Sequence, residues 1–539
     1  MRAETLPKAA IPSGFASPTR GPEVSRWLAP AAFAVALLFR LVGLGGSSMG
    51  PGEILATIRA EGSLHELVSA LVDERAQPPL EPLFTWAVVH IGLGELARRA
   101  LNVVLGAATA ALFARWVARR FGTATGAVAA LFFATSPVLV RYSHELGPYA
   151  LWLLAAGWAL DAADRWIERG AARFPLELVF AAASATAAHA LAAALWFPVG
   201  AAWLEARLDG RVRKPFGRMH VAAAALATIP LALWFAALAR WGGPRPLAPT
   251  QRWTYEEIER RLEDLLLRGA PAQPAVEHAL LLAAVLAVVG FVVVARRRGG
   301  LAVLAGLVGG SLAAELALAV AGRETHFRLD QFGLVFLFAA MAAGIVAFAG
   351  TVAKWNRVSG LATAAILAGA VIATSANGLV GYAQHGRPDW PAVARAVAAL
   401  EGDGSRVATT HPGARLALDY YLGRGSRRTG EPMRIAMVGE DRGKLLAELA
   451  LDSRRCLLVL LAGDPRDPEL LKGLRPEKPI VRLPDTDDAT LHRFAPEDLD
   501  PRACVAPAGV SLVHTPGYGR LFPWRHLGEP GVPSAPPEP

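Results

Sequence analysis

The sequence predicts a polytopic α-helical membrane protein of about eleven spans, followed by a smaller α/β domain. Three observations carry this prediction. Hydrophobic residues make up 53% of the 539 residues and charged residues only 19%, and the mean hydropathy is +0.34. Apolar runs long enough to cross a bilayer recur through the first 380 residues. The gaps between these runs are alternately basic and carboxylate-bearing, as expected of a chain that crosses a membrane repeatedly.

The expected spans follow from apolar runs of roughly twenty residues each. They are placed at 27–46, 98–116, 122–141, 149–166, 174–188, 190–205, 219–241, 277–295, 301–322, 330–350 and 358–380. The short apolar segment 80–93 offers an alternative, because counting it as a span inverts the orientation of everything after it. We expect instead that this segment and the amphipathic stretch 64–74 form helices at the membrane surface.

Basic residues set the expected orientation. When 80–93 does not cross, five basic clusters all lie on the side of the N-terminus, which the positive-inside rule then makes cytoplasmic. The clusters are Arg115/Arg119/Arg120, Arg165/Arg169/Arg173, Arg207/Arg211/Arg213/Lys214/Arg218, Arg296/Arg297/Arg298 and Lys354/Arg357. The net charge of +9 is therefore a topology signal, and nucleic acid is not an expected partner. The predicted location is the inner (plasma) membrane.

Four regions are expected along the chain. Residues 1–26 form a disordered cytoplasmic tail, 27–380 the membrane domain with its first exported loop at 47–97, 381–507 an exported α/β domain, and 508–539 a Pro-rich, mostly disordered tail. In the α/β domain, SRVATT, MRIAMVG, CLLVLLAG and PIVRLP predict strands of a parallel sheet. The segments between them, such as ARLALDYYL, predict helices.

Ionisable residues gather at the expected outer ends of the spans, where they usually face a cavity or a partner. They are Glu53, His144, Glu145, His189, Arg323, Glu324, His326 and Arg328. A carboxylate such as Glu53 or Glu145 can take a proton from an attacking hydroxyl or bind a metal. Arg323 or Arg328 can hold a phosphate.

Each of these residues has a structural alternative. Glu53 can simply solvate a loop, and Glu145 can pair with Arg141, four residues earlier. His189 is more often a turn or interfacial residue than a ligand. The segment from Arg323 to Arg328 can be a solvated tip, and Glu315, inside an apolar run, can be paired structurally.

The order of these motifs resembles the GT-C membrane glycosyltransferases, the superfamily of the protein O-mannosyltransferases and of the bacterial transferase that adds aminoarabinose to lipid A. The similarity covers most of residues 27–425. The matching stretches are Gly52-Glu53, Gln77-Pro78-Pro79-Leu80, Gly92-Leu93-Gly94-Glu95 with Arg98 or Arg99, Ser136-Pro137, Tyr142 to Tyr149, RETHFRLDQFGLVFLFAAMAAG and RPDWPAVARAVAAL.

The resemblance implies transfer of a sugar from a polyprenyl-phosphate donor to a lipid, glycan or protein acceptor on the exported side. We expect Glu53 to be the principal catalytic carboxylate, because it alone keeps the acidic character of the first-loop pair, with Glu145 as the second candidate. The substrate contacts are expected from His144, Tyr149, His189, Arg323, His326 and Arg328. Two departures stand out, because Gly52 replaces the first acid of the usual pair and Gly147 replaces the usual Arg. No cofactor is certain, and a divalent metal stays open because some relatives need one.

Two other functions remain open at this point. Loss of the acid and the arginine at positions 52 and 147 is compatible with a non-catalytic protein of the same fold that binds a lipid-linked sugar or a partner protein. A transporter or flippase is less favoured, because the halves of the chain show no inverted repeat.

Overall fold

The computed structural model describes the chain with gaps. The described residues are 22–45, 48–73, 77–171, 173–212, 217–241, 274–296, 300–321, 331–385, 390–391, 394, 406–409, 416–422, 435–437, 457–461, 475–476, 481–482 and 490–495. Outside them lie residues 1–21 of the expected N-terminal tail, the loop 242–273, the tip 322–330 and the expected tail 508–539. Residues 22–26, which were expected to be disordered, belong instead to a helix.

The described part of the chain is mostly helical. Its α-helices are α1 (Pro22–Leu41), α2 (Pro51–Glu61), α3 (Leu64–Asp73), α4 (Leu80–His90), α5 (Glu95–Phe121), α6 (Thr123–Thr135), α7 (Pro137–His144), α8 (Pro148–Glu168), α9 (Leu176–Ala188), α10 (Trp196–Leu208), α11 (Arg218–Trp241), α12 (Pro274–Ala295), α13 (Gly300–Ala321), α14 (Gln331–Ala353) and α15 (Arg357–His385). A 3-10 helix, Ala190–Leu195, joins α9 to α10.

Several helices are long and apolar enough to cross a membrane. Within the described residues, four helices meet this condition on their own: α5, α11, α14 and α15. The pair α6 and α7, bent by 55° at Ser136, adds a fifth if it is one broken span. The chain is therefore a multi-pass helical protein, and the remaining spans of the expected eleven stay predictions.

The helical core is built around α5, which packs against α1, α6 and α8. Aromatic rings fill the space between α5, α6 and α14: Phe113 lies 5.5 Å from Phe133, and Trp116 meets Phe336 edge-on at 5.5 Å. Phe338 reaches Phe133 at 5.6 Å. Edge-to-face pairs of this kind add to the free energy gained by burying the rings, so α14 is held firmly against the first helices.

Glycines bring α12 and α14 into close contact. A Cβ built on Gly290 would lie 1.9 Å from the carbonyl oxygen of Ala340, and one on Gly344 would lie 2.5 Å from that of Leu286. Neither position therefore has room for any side chain. Small residues at helix crossings let two backbones approach in this way, which is how membrane helices associate without a strong hydrophobic drive.

Acidic side chains of α8 pair with the basic end of α5. Asp161 is 1% exposed and pairs with three arginines: Arg115 at 2.9 Å, Arg119 at 3.2 Å and Arg165. Asp164 accepts a hydrogen bond from Arg120 Nε at 2.8 Å. The two basic clusters that the sequence offers as topology signals thus also join α5 to α8.

The segment between α1 and α5, which we expect to be the first outer loop, contains three helices. Two of them, α3 and α4, coincide with the interfacial helices expected at 64–74 and 80–93. The third, α2, was not expected from the sequence. Trp86 on α4 donates a hydrogen bond from its indole N–H to the carbonyl oxygen of Gly62 at 3.0 Å, just after α2 ends. This contact ties α4 back to α2.

Short strands form a mixed sheet late in the chain. They are β1 (Arg406–Thr409), β2 (Ile435–Met437), β3 (Leu457–Leu461), β4 (Arg475–Pro476), β5 (Val481–Arg482) and β6 (Thr490–Ala495). The order is β2-β1-β3-β6-β4, with β5 also paired to β6. β1 is parallel to β2 and β3, whereas β6 is antiparallel to its neighbours.

Four of these strands lie within the segments from which strands were predicted, but β6 makes the sheet mixed where a parallel one was expected. The predicted helix ARLALDYYL is helical at 416–422. The other helices expected between the strands fall mainly outside the described residues, so the α/β arrangement of 381–507 stays a prediction.

Candidate active site

A buried ion pair joins the first outer loop to α5. The Glu53 side chain is 3% exposed and the Arg99 side chain 2%. Arg99 donates from Nε to Oε1 of Glu53 and from Nη2 to Oε2, both at 3.2 Å. Two parallel hydrogen bonds between a guanidinium and a carboxylate fix both groups in direction as well as distance. The Glu53 carboxylate is therefore held in one orientation.

Glu53 also starts the helix α2. Its Oε2 accepts a hydrogen bond from the backbone N–H of Gly50 at 2.8 Å, and Pro51 occupies the first helical position. Proline at that position and a glutamate two residues later are a helix-start pattern. The sequence contains this signal, although no helix was expected at this point of the loop.

The second outer loop closes on the same carboxylate. The backbone N–H of Leu146 donates to Oε1 of Glu53 at 2.9 Å, and the Asn102 amide on α5 donates to the carbonyl oxygen of Glu145 at 2.6 Å. With Gly50 and Arg99, Leu146 brings the hydrogen bonds accepted by Glu53 to four. The loops that carry the two expected catalytic carboxylates therefore meet in space, as the topology argument requires.

Glu145 is the more accessible of the two expected catalytic carboxylates. Its side chain is 19% exposed, and Oε1 accepts a hydrogen bond from Arg141 Nε at 3.3 Å, four residues earlier on α7. The structural alternative, a pair between Glu145 and Arg141, is therefore formed. Such partly exposed pairs contribute little to stability, so this pairing leaves Glu145 able to change partners.

His144 lies on the inner side of the same segment. Its ring is almost fully buried, and Nε2 lies 2.5 Å from the backbone oxygen of Arg40. Because that partner only accepts, Nε2 must carry the proton. The neighbouring Ser143 Oγ accepts a hydrogen bond from Arg40 Nε at 3.0 Å. These bonds fasten the end of α7 to the end of α1.

Tyr149 and His189 form a separate aromatic group. His189 is 2% exposed, and its Nδ1 accepts a hydrogen bond from the Leu191 N–H at 3.1 Å. The ring stacks on Trp152 at 4.6 Å with the planes 19° apart, and Tyr149 lies 5.9 Å away. His189 thus caps the 3-10 helix, as the structural alternative expected. Its contact with substrate stays a prediction, as does that of Tyr149.

A segment far along the chain reaches back to this site. The Tyr421 hydroxyl oxygen accepts a hydrogen bond from the Met49 N–H at 2.9 Å, and Ser48 Oγ accepts one from the Trp390 N–H at 3.2 Å. Arg99 also donates to the Ser48 carbonyl oxygen at 2.7 Å. Burial raises the pKa of the Tyr421 hydroxyl, so it stays neutral and able to accept.

A second buried carboxylate lies in the first outer loop. Glu81 on α4 is 6% exposed and accepts a hydrogen bond from Thr85 Oγ1 at 2.7 Å. Burial raises the pKa of Glu81, while the Thr85 hydrogen bond and the charge of Arg59 on α2 oppose that rise. Glu81 is not distinguishable in the sequence, because an acid in an interfacial helix is expected to face solvent.

Three expected substrate contacts cannot be placed. Arg323, His326 and Arg328 lie outside the described residues, and nothing is described of the side chain of Glu315 within α13. Within the described part of the chain, no three His, Cys, Asp or Glu side chains gather as a metal group. The structure thus brings Glu53, His144 and Glu145 together and sets Tyr149 and His189 in a neighbouring cluster.

The motif that follows the first loop matches either Arg98 or Arg99 in the sequence, and the structure shows that the two arginines have different partners. Arg99 points to Glu53, whereas Arg98 donates to the Leu93 carbonyl oxygen at 2.7 Å and so closes the start of α5. Ser48, Arg40 and Tyr421 were not expected at all. The sequence offers one signal for Arg40, which is its position near the end of an apolar run.

Fold and site together define a multi-pass helical protein in which the segment between α1 and α5 meets the segment between α7 and α8 at a buried carboxylate–arginine pair. No protein-family model matches this sequence, and no curated protein sequence matches it. Solved structures with a similar arrangement do exist.

The chain is similar to ArnT from Cupriavidus metallidurans in the apo state, with a TM-score of 0.48, 14% identity, and coverage of 87% of this chain and 98% of that one. It is also similar to ArnT from Cupriavidus metallidurans bound to undecaprenyl phosphate, with a TM-score of 0.46, 13% identity, and coverage of 86% of this chain and 97% of that one. A third similar structure is the arabinofuranosyltransferase AftD from Mycobacteria, with a TM-score of 0.47, 16% identity, and coverage of 87% of this chain and 40% of that one.

Proposed function

We propose that the protein is a membrane glycosyltransferase that transfers a sugar from a polyprenyl-phosphate donor to an acceptor hydroxyl on the exported side of the membrane. The observation that carries the proposal is the junction of the two outer loops at Glu53. The acidic residues of two separate motifs, Glu53 and Glu145, lie on either side of one short contact through Leu146. This is the place where the motif order requires a catalytic site.

The proposed reaction is one displacement at the anomeric carbon of the donor. The acceptor oxygen forms the new bond to that carbon while the bond to the phosphate oxygen breaks, and the electron pair of the broken bond stays on the phosphate. A carboxylate takes the proton of the acceptor hydroxyl. Positive charge near the phosphate stabilises the leaving group. No oxidant or reductant is needed.

The two carboxylates have different proposed tasks. Glu53 accepts hydrogen bonds from Gly50, Arg99 and Leu146, so both of its carboxylate oxygens are engaged. A carboxylate so engaged must break a contact before it can take a proton. Glu145 is partly exposed beside Arg141, which suits proton transfer. We therefore assign proton acceptance to Glu145 and positioning of both loops to Glu53, with the reverse assignment as the alternative to be tested.

The remainder of the proposal concerns placement. Arg323 and Arg328, with His326, are proposed to hold the donor phosphate, and His144, Tyr149 and His189 to line the sugar side. The membrane domain is proposed to span 27–380 eleven times in an inner membrane, with a cytoplasmic N-terminus and 381–507 exported. The nature of the sugar and of the acceptor is left open.

Turnover by the purified full chain tests the proposal, with a panel of polyprenyl-phosphate sugars as donors. Glu145→Gln should cut turnover at saturating donor about 100-fold or more, because general acid–base groups contribute on that scale. Glu53→Gln should lower activity together with thermal stability. Glu61→Gln is the matched control, since Glu61 is exposed on the same helix as Glu53. Loss of the chemical step in Glu53→Gln alone would reverse the assignment, and no transfer from any donor would contradict the proposal.

A non-catalytic protein of the same fold is the second candidate, favoured by the full engagement of Glu53 and by the two glycines. Both positions accept a side chain. A Cβ on Gly52 meets nothing within 4 Å, and one on Gly147 meets only the Tyr149 ring at 3.8 Å. If the wild-type protein is inactive and the pair Gly52→Asp and Gly147→Arg gains transfer, this candidate is favoured; activity of the wild type excludes it.

A further inference from the structure

Four exposed arginines lie where α8 and α10 end and α11 begins. They are Arg169, Arg173, Arg207 and Arg218, which we call the arginine patch. Arg169 directly follows α8, Arg207 lies in the last turn of α10, and Arg218 is the first residue of α11. Arg173 belongs to the connection between α8 and α9. The patch is therefore contributed by several segments of the chain, all at one end of the helices.

Aromatic rings hold these helix ends together. The Trp166 ring of α8 lies 5.3 Å from the His220 ring of α11, and the Trp203 ring of α10 lies 5.5 Å from the same imidazole. Trp166 also donates from its indole N–H to the carbonyl oxygen of Arg173 at 2.9 Å. The other three arginines of the patch are each within four residues of one of these rings in the sequence. The arginine patch is therefore one surface, because the rings beneath it are packed together.

The protein does not neutralise this surface with its own carboxylates. The acidic side chains of the same helix ends have other partners: Glu168 pairs with Arg119 at 3.4 Å, and Asp209 pairs with Arg211 at 3.2 Å. Glu205 accepts a hydrogen bond from a backbone N–H at 2.6 Å. In the part of the chain that the structure describes, none of the four arginines of the patch forms an ion pair. The patch therefore presents a net positive charge to its surroundings.

Exposed leucines lie beside the arginine patch. Leu208, next to Arg207, is 77% exposed, and Leu176, three residues after Arg173, is 73% exposed. Arg218 begins α11, one of the helices long and apolar enough to cross a membrane. Such a mixture suits the boundary of a bilayer, where the hydrocarbon covers apolar side chains and guanidinium groups extend to the headgroups. A lipid headgroup is therefore a better partner for the patch than a soluble acidic protein.

We infer that the arginine patch binds the headgroups of acidic phospholipids in the leaflet at this end of the helices. A guanidinium can hold two phosphate oxygens at once, and each basic side chain near an anionic leaflet adds to the attraction. The surface is separate from the candidate active site, because Glu145 lies before the first residue of α8 and Arg169 after its last. The 21 residues of α8 span about 30 Å. The inference therefore does not rest on the proposed function.

Lipid binding to the purified full chain in a neutral detergent tests this inference. The probes are phosphatidylglycerol and, as the zwitterionic reference, phosphatidylcholine with the same acyl chains. The wild type should bind phosphatidylglycerol more tightly, and salt should weaken this binding because exposed charges are screened. The combined variant Arg169→Gln, Arg173→Gln, Arg207→Gln and Arg218→Gln should lose about tenfold or more in affinity for phosphatidylglycerol, with phosphatidylcholine unaffected. Arg240→Gln is the matched control, since Arg240 is exposed at the other end of α11.

A lysine variant covers the case in which the glutamine variant does not fold. Lysine at the same four positions keeps the charge but not the two-point contact, so it should still prefer phosphatidylglycerol, with an affinity a few times lower than that of the wild type. The inference is overturned if the wild type binds the two lipids equally, or if Arg240→Gln lowers the affinity for phosphatidylglycerol as much as the patch variants do. Displacement of phosphatidylglycerol by polyglutamate at the same concentration would overturn the assignment to a lipid headgroup in favour of a soluble acidic partner.

Discussion

The backbone N–H of Met49 lies 2.9 Å from the hydroxyl oxygen of Tyr421, although the two residues are 372 positions apart in the chain. Met49 precedes α2 by two residues, and Ser48 beside it accepts a hydrogen bond from Arg99. The late part of the chain is thus fastened to the loop that carries Glu53. A substitution at position 421 should therefore alter the geometry of the candidate site.

Tyr421→Phe removes the acceptor and leaves the Met49 N–H without a partner. We expect a loss of about 1–3 kcal/mol in the stability of this contact and, if the proposed function holds, lower transfer with little change in donor affinity. Thermal unfolding and steady-state kinetics on the full chain measure both. Asp419→Asn, at an exposed position of the same 416–422 segment, is the control. Equal stability of Tyr421→Phe and wild type would show that the contact is not maintained in solution.

Arg99 and Glu53 should prove strongly coupled. Arg99→Met leaves a buried carboxylate without its counter-charge and should cost about 3–5 kcal/mol. Glu53→Gln removes that charge, so the double variant should recover part of the loss. A double-mutant cycle by denaturant unfolding gives the coupling energy. Additive effects of the two changes would contradict the two-point pair.

Glu81 should make the protein less stable as the pH rises. Burial raises the pKa of Glu81 in the folded state, so the folded form holds a proton that the unfolded form loses first. Stability is then fullest below the unfolded pKa of about 4.3 and falls as pH rises through the folded pKa. Glu81→Gln keeps an acceptor for Thr85 and should remove this dependence and stabilise the protein at pH 7. Unfolding curves measured between pH 4 and 8 test it.

Glu66 supplies a control of opposite sign for that experiment. The hydrogen bond from the Ser63 N–H lowers the pKa of Glu66, so its contribution is present above the unfolded pKa and is lost as the pH falls. Glu66→Gln should therefore be no more stable than the wild type at pH 7. A gain in both variants would indicate a general effect of removing negative charge from the loop.

The proposed orientation predicts which side of the membrane each loop faces. In a background of Cys456→Ser and Cys504→Ser, a cysteine at the exposed His65 should react with an impermeant thiol reagent on intact cells. One at the exposed Arg169 should react only after the membrane is opened. Labelling of position 169 alone from outside would invert the topology and with it the exported site.

Much of this fold follows from local sequence rules. Pro137 and Pro148 begin α7 and α8 at the first helical position, where the missing N–H of proline costs nothing. Long apolar runs, broken by glycine and by charge, gave the bounds of α5, α11 and α14 to within a few residues. Glu53 and Glu145 are candidate site residues for a similar reason, because ionisable groups at the ends of apolar runs are rare and usually face a cavity or a partner.

Partners distant in the chain needed the tertiary structure. Arg98 and Arg99 are equivalent in composition, but neighbouring helix positions point about 100° apart, and only the placement of α2 beside α5 decides that Arg99 meets Glu53. The pairing of Asp161 with Arg115 and Arg119 depends in the same way on how α8 packs against α5. Hydrophobic periodicity determines which residues are helical, but it carries no information on which helix lies opposite. Only the packing of the helices decides that Arg40 lies among neutral partners. The same holds for the hydrogen bond between Tyr421 and Met49.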